Sequence, residues 1–260
     1  MPVAIHIRLE EGKKVYFASD FHLGIKDSIT REKEICAWLD FAAKDAQAIF
    51  LVGDIFDFWF EYKHAIPKGF IRFQGKLVEL IDKGIEIILF TGNHDMWLFD
   101  YFSKELGIKI FRQPIDIKID ETTLHIGHGD GLGPGDRKYK FLKKVFANPF
   151  CQWLFGKIHP DWGIGLALYW SRHSRLQSSK KGDEQFLGEG EWLWTYCKEQ
   201  EAKQHRDLYI FGHRHLPLDL PVGENARYIN LGEWLHHYTY ACFGQNQINL
   251  KEWKCVFKSV

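Results

Sequence analysis

Long apolar stretches, paired cysteines and repetitive segments are missing from this sequence of 260 residues. No run approaches the roughly 18 consecutive apolar residues of a membrane-spanning helix, so none is predicted. Proline and glycine, at 8 and 23 residues, are too few for a collagen-like or low-complexity chain. The first residues, MPVAIHIRLEEGKKV, do not have the basic-then-apolar order of a secretory signal, so we expect none.

Cysteine usage argues against a disulfide framework and against a zinc ribbon. The five cysteines are odd in number, scattered and without a Cys-x-x-Cys pair. This usage favours a reducing cytoplasm, where each thiol acts as a small buried hydrophobe. They are Cys36, Cys151, Cys197, Cys242 and Cys255.

The sequence is rich in core-forming residues and balanced in charge. An aromatic content of 16% excludes disorder, and 260 residues can bury the core of one large or two small domains. Lys and Arg equal Asp and Glu at 34 each, yet residues 137–181 hold ten Lys or Arg, nine aromatics and one acid, Asp161. Such a segment would attract phosphates, anionic lipid surfaces or nucleic acid. The same composition is equally typical of a solvated basic face over an aromatic core.

Hydrophobic spacing predicts an α/β layered fold in a single domain over 1–260, with a helical insertion at about 132–185. Residues 3–9 and 14–19, separated by Glu10-Glu11-Gly12, predict a hairpin that feeds a sheet. Further strands are predicted at 48–52, 85–90, 115–119, 123–126, 208–211 and 227–231, and helices at 28–44 and near 68–82, 96–106 and 189–204.

Polar motifs follow five of these strands where each one ends. Ligands of open α/β sheets bind beyond the carboxyl ends of strands, so we expect the motifs to meet in one crevice. Carboxylates mixed with imidazoles suit Mn, Fe or Zn better than a calcium cage or a thiolate site. Any one motif could be a cap, a turn or a buried histidine, but five together are not explained that way. They are Asp20-Phe21-His22, Gly53-Asp54-Ile55-Phe56-Asp57, Gly92-Asn93-His94-Asp95, Gly127-His128-Gly129-Asp130 and Gly212-His213-Arg214-His215.

In this order the motifs resemble those of the calcineurin-like metallophosphoesterases, across about residues 20–231. The resemblance implies a four-layer α/β sandwich in which two divalent metal ions activate water for phosphoester hydrolysis. His94 would lie beside the phosphate and stabilise charge or protonate the leaving oxygen, with Asp95 orienting its ring. The implied ligands are Asp20, His22, Asp54 and His215 for one metal and Asp54, Asn93, His128 and His213 for the other, with Asp54 as the bridge.

The long insertion narrows the resemblance. About 80 residues separate the fourth motif from the fifth, a layout similar to the UDP-2,3-diacylglucosamine pyrophosphohydrolases of lipid A biosynthesis, whose helical lid binds two acyl chains. That resemblance implies hydrolysis at the α-phosphate to UMP and a diacylglucosamine 1-phosphate. One departure is His94, where many of these hydrolases carry Arg. The substrate-binding residues implied by the resemblance are Trp59, Asp136, Tyr139, Arg172, Ser174 and Lys180.

We expect two manganese ions, although the same donors accept Fe, Zn or Co. The resemblance further implies a cytoplasmic enzyme, peripheral on the inner membrane, that acts on a lipid-linked UDP-sugar; it predicts no protein partner and no nucleic acid. The main alternative is a phosphodiesterase or nuclease of the same fold. Base stacking needs exposed aromatic faces beside a charged groove, whereas acyl chains need a closed apolar slot. A metal-free scaffold is disfavoured because every ligand position is filled.

Overall fold

The computed structural model describes residues 3–25, 28–135, 137–180 and 185–257, and at 172 and 174–180 it describes the backbone alone. The strands are β1 (Ile5–Ile7), β2 (Lys14–Ala18), β3 (Ala46–Val52), β4 (Glu86–Phe90), β5 (Lys109–Phe111), β6 (Ile115–Ile119), β7 (Thr122–Ile126), β8 (Leu208–Phe211), β9 (Pro217–Val222), β10 (Ala226–Leu231), β11 (Thr239–Gly244) and β12 (Gln247–Glu252). The α-helices are α1 (Ser28–Ala42), α2 (Ile71–Asp82), α3 (Tyr101–Leu106), α4 (Arg137–Ala147), α5 (Pro149–Phe155), α6 (Pro160–Lys180) and α7 (Trp192–Glu201).

In the described part of the chain these strands form two six-stranded sheets that pack face to face. The first sheet has the order β1-β6-β7-β8-β10-β9, and the second has the order β12-β11-β2-β3-β4-β5. Side chains from both sheets interdigitate between them, for example Val15 and Phe50 from the second sheet and Leu124 and Ile210 from the first. Alternation along each strand sends every second residue into this shared core.

Helices cover the outer faces of both sheets. Trp38 of α1 and Leu77 of α2 pack with Tyr16 and Leu89 on the second sheet, while α7 covers the first sheet through Leu193 and its neighbours. The order is therefore helix, sheet, sheet, helix, and the predicted four-layer α/β sandwich is confirmed.

The predicted hairpin of 3–9 and 14–19 is wrong. β1 pairs in parallel with β6 in the first sheet, whereas β2 pairs with β3 and β11 in the second. Apolar residues alternate along β1 and along β2 because one face of each strand points into the shared core. Since that core lies between the two sheets, the alternation does not tell which sheet a strand belongs to. The turn between the two strands therefore carries the chain from one sheet to the other.

Helix α3 is shorter than the predicted span of 96–106. It begins at Tyr101, where one carboxylate oxygen of Glu61 accepts hydrogen bonds from the amides of Asp100 and Tyr101 at 2.7 and 3.0 Å. A cap supplied from 40 residues away in sequence is not visible in the local pattern.

Three consecutive helices, α4 to α6, fall within residues 132–185, and we call them the lid. The lid packs on the body of the protein through Phe155, which contacts Phe60 and Trp97 at ring distances of 4.7 and 4.8 Å. The Trp97 indole also donates a hydrogen bond to the carbonyl of Phe146 at 2.8 Å. Within the described ranges, no helix combines the length and apolar character needed to cross a bilayer.

Candidate metal centre

Loops that follow five strands of the two sheets converge at one end of the sandwich. They follow β2, β3 and β4 of the second sheet and β7 and β8 of the first. Backbone hydrogen bonds join these loops: the amide of Asp20 donates to the carbonyl of Gly53, and the amide of Gly212 donates to that of His128. The motif side chains therefore lie together at one end of the sandwich, on loops from both sheets.

The first donor group comprises Asp20, His22, Asp54 and His215, with one ligand atom from each residue lying within 4.8 Å of the others. Nε2 of His22 lies 3.0 Å from Nε2 of His215, and the latter nitrogen lies 3.2 Å from Oδ1 of Asp20. Two imidazoles and two carboxylates around one point make the mixed nitrogen and oxygen set that suits a borderline divalent cation.

The second donor group shares Asp54 with the first and adds His128 and His213, again within 4.8 Å. Oδ2 of Asp54 lies 3.3 Å from Nε2 of His128, and Oδ1 of Asn93 lies 3.2 Å from the same nitrogen. All seven side chains that the sequence predicts as metal ligands therefore lie together, with Asp54 between the two groups.

Some of the donor atoms have no hydrogen-bond partner among the described residues and would be stabilised by a cation. Oδ1 of Asp20 and Oδ2 of Asp54 are buried and accept no well-directed hydrogen bond from the described residues, a costly arrangement unless a positive charge lies between them. Burial opposes a proton on His128, but the nearby Asp54 carboxylate outweighs it and raises the pKa of His128 to about 10. A divalent cation in the second group would displace that proton.

The backbone at these ligands is strained. Asp20, His22, Asp54, His213 and His215 all have φ between 45° and 68°, in the left-handed region that non-glycine residues rarely adopt. Each such residue costs about 1–3 kcal/mol and persists only where the surroundings enforce it. This backbone conformation directs the five side chains inward from three turns, which follow β2, β3 and β8, and its concentration at one place indicates a functional centre.

Two glycines allow the motifs to approach one another. A Cβ on Gly92 would lie 2.1 Å from Oδ1 of Asp54, and a Cβ on Gly212 would lie 2.4 Å from Oδ2 of Asp20. Any side chain at either position would push a ligand carboxylate away. Glycine immediately before Asn93 and His213 is therefore required by close packing.

Further hydrogen bonds to the ligand side chains and their backbone hold the ligands in orientation. Nδ1 of His128 lies 2.9 Å from the carbonyl of Val52, which directs Nε2 toward Asp54. Oδ2 of Asp20 accepts the amide of His213 at 3.0 Å, and Arg31 donates to the carbonyl of His22 at 2.8 Å.

Arg214, between the two histidines of the fifth motif, is buried and ion-paired. Its guanidinium donates to both carboxylate oxygens of Glu191, at 2.9 and 2.8 Å, and lies 4.5 Å from the ring of Trp192. A bidentate pair of this kind is rigid, so it anchors the loop that carries His213 and His215 to the start of α7.

His94 lies beside the first donor group, in an edge contact with the ring of His22 at 4.9 Å. Nδ1 of His94 lies 3.0 Å from Oγ of Ser171, 3.2 Å from the carbonyl oxygen of Asp57 and 3.6 Å from its Oδ1. The carboxylate nearest this ring is therefore Asp57, the second acid of the motif that begins at Gly53.

The prediction that Asp95 orients His94 is wrong. The Asp95 carboxylate instead accepts backbone amides of Gly92, Asp54 and Ile55 at 2.7, 3.3 and 2.7 Å. Burial, followed by the charge of Asp54, raises the pKa of Asp95 to about 7. Asp95 thus joins the loop after β4 to the loop after β3, and it acts on the donors through the backbone.

Comparison with known proteins agrees with this geometry. The sequence model that describes the calcineurin-like phosphoesterase family matches residues 13–217 of this chain. The chain belongs to this family. The predicted fold class and the prediction of a phosphoric ester hydrolase are thereby confirmed, and the family implies divalent metal ions at the two donor groups of this phosphoesterase.

Several relatives of this phosphoesterase are named UDP-2,3-diacylglucosamine hydrolase. The protein of that name from Porphyromonas gingivalis is 39% identical over 88% of this chain and 93% of its own length. Those from Vibrio parahaemolyticus and Pseudomonas aeruginosa are 29% and 28% identical, over 84% and 85% of this chain and 89% and 90% of their own lengths.

The predicted substrate-binding residues of the phosphoesterase divide into three cases. The prediction for Trp59 is corrected, because this side chain is fully buried and so is not exposed to a substrate. Its ring packs on those of Phe56 and Phe102, with centroid distances of 4.4 and 5.3 Å. An aromatic residue two positions past the motif faces the helix-covered core. Tyr139, on α4, donates to Oδ2 of Asp130 at 2.7 Å and so joins the lid to the fourth motif. Asp136 and the side chains of Arg172, Ser174 and Lys180 lie outside the described residues.

Sequence reasoning missed three residues that support the site: Asp57, Ser171 and Glu191. Asp57 could have been found, because an acid three residues after a ligand Asp is part of the motif itself. Ser171 could not, because it reaches Asp57 from 114 positions along the chain. For Glu191, a single acid before a helix gives no sign of a buried partner.

The lid of the phosphoesterase presents many apolar side chains to solvent. Phe146, Phe155 and Ile164 turn inward onto the cluster around Trp97, but others are on the surface, with Trp162 77% exposed and Tyr169 70% exposed. Basic residues accompany them, and the ammonium of Lys157 lies 5.2 Å from the ring of Trp153. A surface that is both apolar and cationic is unusual for a monomeric soluble domain. The half-exposed or more exposed members are Phe141, Phe150, Trp153, Trp162, Leu166, Tyr169 and Trp170.

Proposed function

We propose that this phosphoesterase hydrolyses the pyrophosphate of UDP-2,3-diacylglucosamine at the α-phosphate, giving UMP and 2,3-diacylglucosamine 1-phosphate. The observation that carries the proposal is a complete pair of donor groups beside an apolar, cationic lid. Relatives that match it over almost their full length bear the name of this hydrolase. A substrate with two phosphates and two acyl chains needs both features.

The two donor groups would each hold one divalent cation, and we propose manganese. Divalent cations held there would supply the positive charge that polarises phosphoryl oxygens and lowers the pKa of bound water. The protein supplies the fixed geometry, with Asp54 shared between the two groups, Asn93 and His128 side by side, and five of the ligands on turns with left-handed backbone.

His94 would contact the phosphate and either stabilise its charge or protonate the leaving oxygen. Its Nδ1 faces Ser171 and the carbonyl of Asp57, which leaves Nε2 as the ring nitrogen available to a substrate. Asp136, Tyr139, Arg172, Ser174 and Lys180 remain proposed contacts to the sugar and phosphates, since all of them lie in or next to the lid.

The exposed face of the lid would meet the cytoplasmic surface of the inner membrane, where the lipid substrate resides. Its aromatic residues can enter the interface, while its Lys and Arg residues contact anionic headgroups. The enzyme would then be peripheral and cytoplasmic, and it would draw acyl chains from the bilayer without a spanning helix.

The test is an assay of the purified, manganese-loaded protein on UDP-2,3-diacylglucosamine in ¹⁸O-labelled water. We expect UMP carrying the label, together with 2,3-diacylglucosamine 1-phosphate, and no turnover by Asp54→Ala. Label in the sugar phosphate would contradict attack at the α-phosphate. Intact lipid, with cleavage of bis(4-nitrophenyl) phosphate under the same conditions, would reject the substrate while keeping the phosphoesterase.

A second candidate, a nuclease of the same family, is favoured by one observation. Aromatic faces on the lid are exposed beside cations, as with Trp153 and Lys157, and such faces can stack on bases. A single-stranded oligonucleotide serves as the competing substrate. Cleavage of it with a kcat/KM above that for the lipid would transfer the assignment to this candidate.

A further inference from the structure

The lid contributes a polar side chain to the neighbourhood of the metal centre. Ser171 of α6 is only 8% exposed, although Tyr169 and Trp170 just before it are 70% and 52% exposed. Its hydroxyl lies 3.0 Å from Oδ1 of Asp57 and 3.0 Å from Nδ1 of His94. One hydroxyl of the lid therefore contacts both the histidine beside the donor groups and the carboxylate nearest that histidine.

The hydrogen-bond directions follow from the chemistry of the partners. A carboxylate oxygen can only accept, so the Ser171 hydroxyl donates to Asp57. Its single hydrogen is then committed, and Nδ1 of His94 is the donor toward Oγ. The chain of donors runs from His94 through Ser171 to Asp57 and, together with the carbonyl of Asp57 at 3.2 Å, keeps a proton on Nδ1. The proton that His94 would give to a leaving oxygen is therefore the second one, on Nε2 of the imidazolium.

Packing holds this hydroxyl in place. The lid is seated on the body by Phe155 against Phe60 and Trp97 and by the bond from the Trp97 indole to the carbonyl of Phe146. On the other side, the ring of His94 is in edge contact with His22. His94 is thus enclosed between a ligand of the first donor group and the lid.

We infer that Ser171 is a positioning residue for His94, so that the acid or charge-stabilising group of the active site is complete only when α6 is seated. The lid would then act on the chemistry as well as on substrate binding. This inference rests on the role proposed above for His94 and not on the identity of the lipid.

A double-mutant cycle of Ser171→Ala and His94→Ala on the manganese enzyme tests it, with both UDP-2,3-diacylglucosamine and bis(4-nitrophenyl) phosphate as substrates. We expect His94→Ala to lower kcat by about 10²-fold or more. Ser171→Ala should lower kcat by about tenfold at nearly constant KM, since loss of an outer hydrogen-bond partner typically costs about 10–100-fold. The double variant should be no slower than His94→Ala alone.

A second readout does not depend on activity. In the ¹⁵N-histidine-labelled, zinc-loaded protein, the two ring nitrogens of His94 report which one carries the proton. We expect Nδ1 to be protonated in the parent protein, and Ser171→Ala to raise the share of the Nε2–H tautomer, because only the 3.2 Å contact with the Asp57 carbonyl then holds the proton on Nδ1. Trp97→Phe is the matched control, because it removes another hydrogen bond between lid and body without touching His94.

Three results would overturn the inference: effects of the two substitutions that multiply in the double variant, a His94 tautomer that Ser171→Ala leaves unchanged, or a tautomer change of equal size in Trp97→Phe. Should the lipid prove not to be a substrate, a non-additive cycle on bis(4-nitrophenyl) phosphate would still support it. Failure of the proposed substrate and failure of the positioning role are therefore distinguishable.

Discussion

Asp54 joins the two halves of the metal centre, since among the described residues its carboxylate belongs to both donor groups. Its other oxygen, Oδ1, accepts the amide of His94 at 2.8 Å. One side chain thus shapes the two metal sites and the loop that carries His94.

Asp54→Asn should remove metal from both positions, because an amide offers one neutral oxygen where two cations need a charged bridge. We expect kcat to fall by about 10³-fold, equivalent to about 4 kcal/mol. Manganese at 100 times its dissociation constant should stabilise the folded parent protein by about 2.7 kcal/mol, and its melting temperature should rise accordingly. Elemental analysis and thermal melts would measure both effects.

The control for Asp54→Asn is Asp219→Asn, a change in an exposed pair with Arg227. It should keep its metal and its melting response. Two bound metal ions per chain in Asp54→Asn would contradict the bridging role.

Gly92→Ala tests close packing at the ligands. The new Cβ would lie 2.1 Å from Oδ1 of Asp54 and 2.6 Å from its backbone nitrogen, so the loops must separate. We expect a destabilisation of about 1–3 kcal/mol and a loss of metal affinity, measured by urea unfolding and by titration with manganese.

Gly75→Ala is the matched control, because Gly75 lies inside α2 with open space around its Cβ position. That substitution should stabilise the protein by about 0.5–1 kcal/mol. Equal behaviour of the two variants would mean that close approach at Gly92 is unimportant.

At the level of elements, the ion pair of Glu191 and Arg214 fixes the loop after β8 to the start of α7. Both side chains are almost completely buried, at 0% and 1% exposure. Glu191→Ala would leave the buried guanidinium without the carboxylate that balances its charge, and breaking such a pair costs about 3–5 kcal/mol. We expect a drop of that size in the free energy of unfolding, with weaker metal binding through His213 and His215.

The exposed pair of Asp219 and Arg227, 39% and 43% exposed, provides the comparison for Glu191. Asp219→Ala should cost no more than about 1 kcal/mol in a urea titration. A cost below about 1 kcal/mol for Glu191→Ala as well would show that the buried pair does not hold the loop.

The positions of strands and helices could be predicted where one face of a segment is buried. The strands with which they pair, and the distant residues that cap them, could not. The alternation of Val15 and Phe17 marks β2 as a strand, but nothing local indicates that β1 joins a different sheet and pairs with β6, about 110 positions away. The start of α3 depends likewise on Glu61 from a distant loop. Local periodicity reports burial, while pairing is decided by how the two sheets share one core.

For the molecule as a whole, the site was predictable because parallel strands bring their carboxyl ends to one edge, so the motifs at Asp54 and Asn93 had to be neighbours. The support around it was less accessible. Asp95 follows His94 directly, yet its carboxylate turns to the backbone of Asp54 and Ile55, and one hydrogen-bond partner of the His94 ring comes from the lid. Sequence order says which residues meet at strand ends but not which side chains reach them from an insertion.

The exposed face of the lid makes a prediction about the whole molecule at a membrane. Replacing Trp162 and Tyr169 by Ser removes two of its most exposed aromatic side chains, 77% and 70% exposed on α6. Each aromatic buried in an interface contributes up to about 1.5–3 kcal/mol, so binding to vesicles that contain phosphatidylglycerol should weaken by about tenfold or more. Sedimentation with vesicles at two salt concentrations would measure it, and salt should weaken binding of the parent protein because basic residues contribute.

Ile71→Ser, which changes a side chain 79% exposed on α2, is the matched control and should bind like the parent. Equal weakening in both variants, or none in either, would mean that the lid does not form the membrane-binding face.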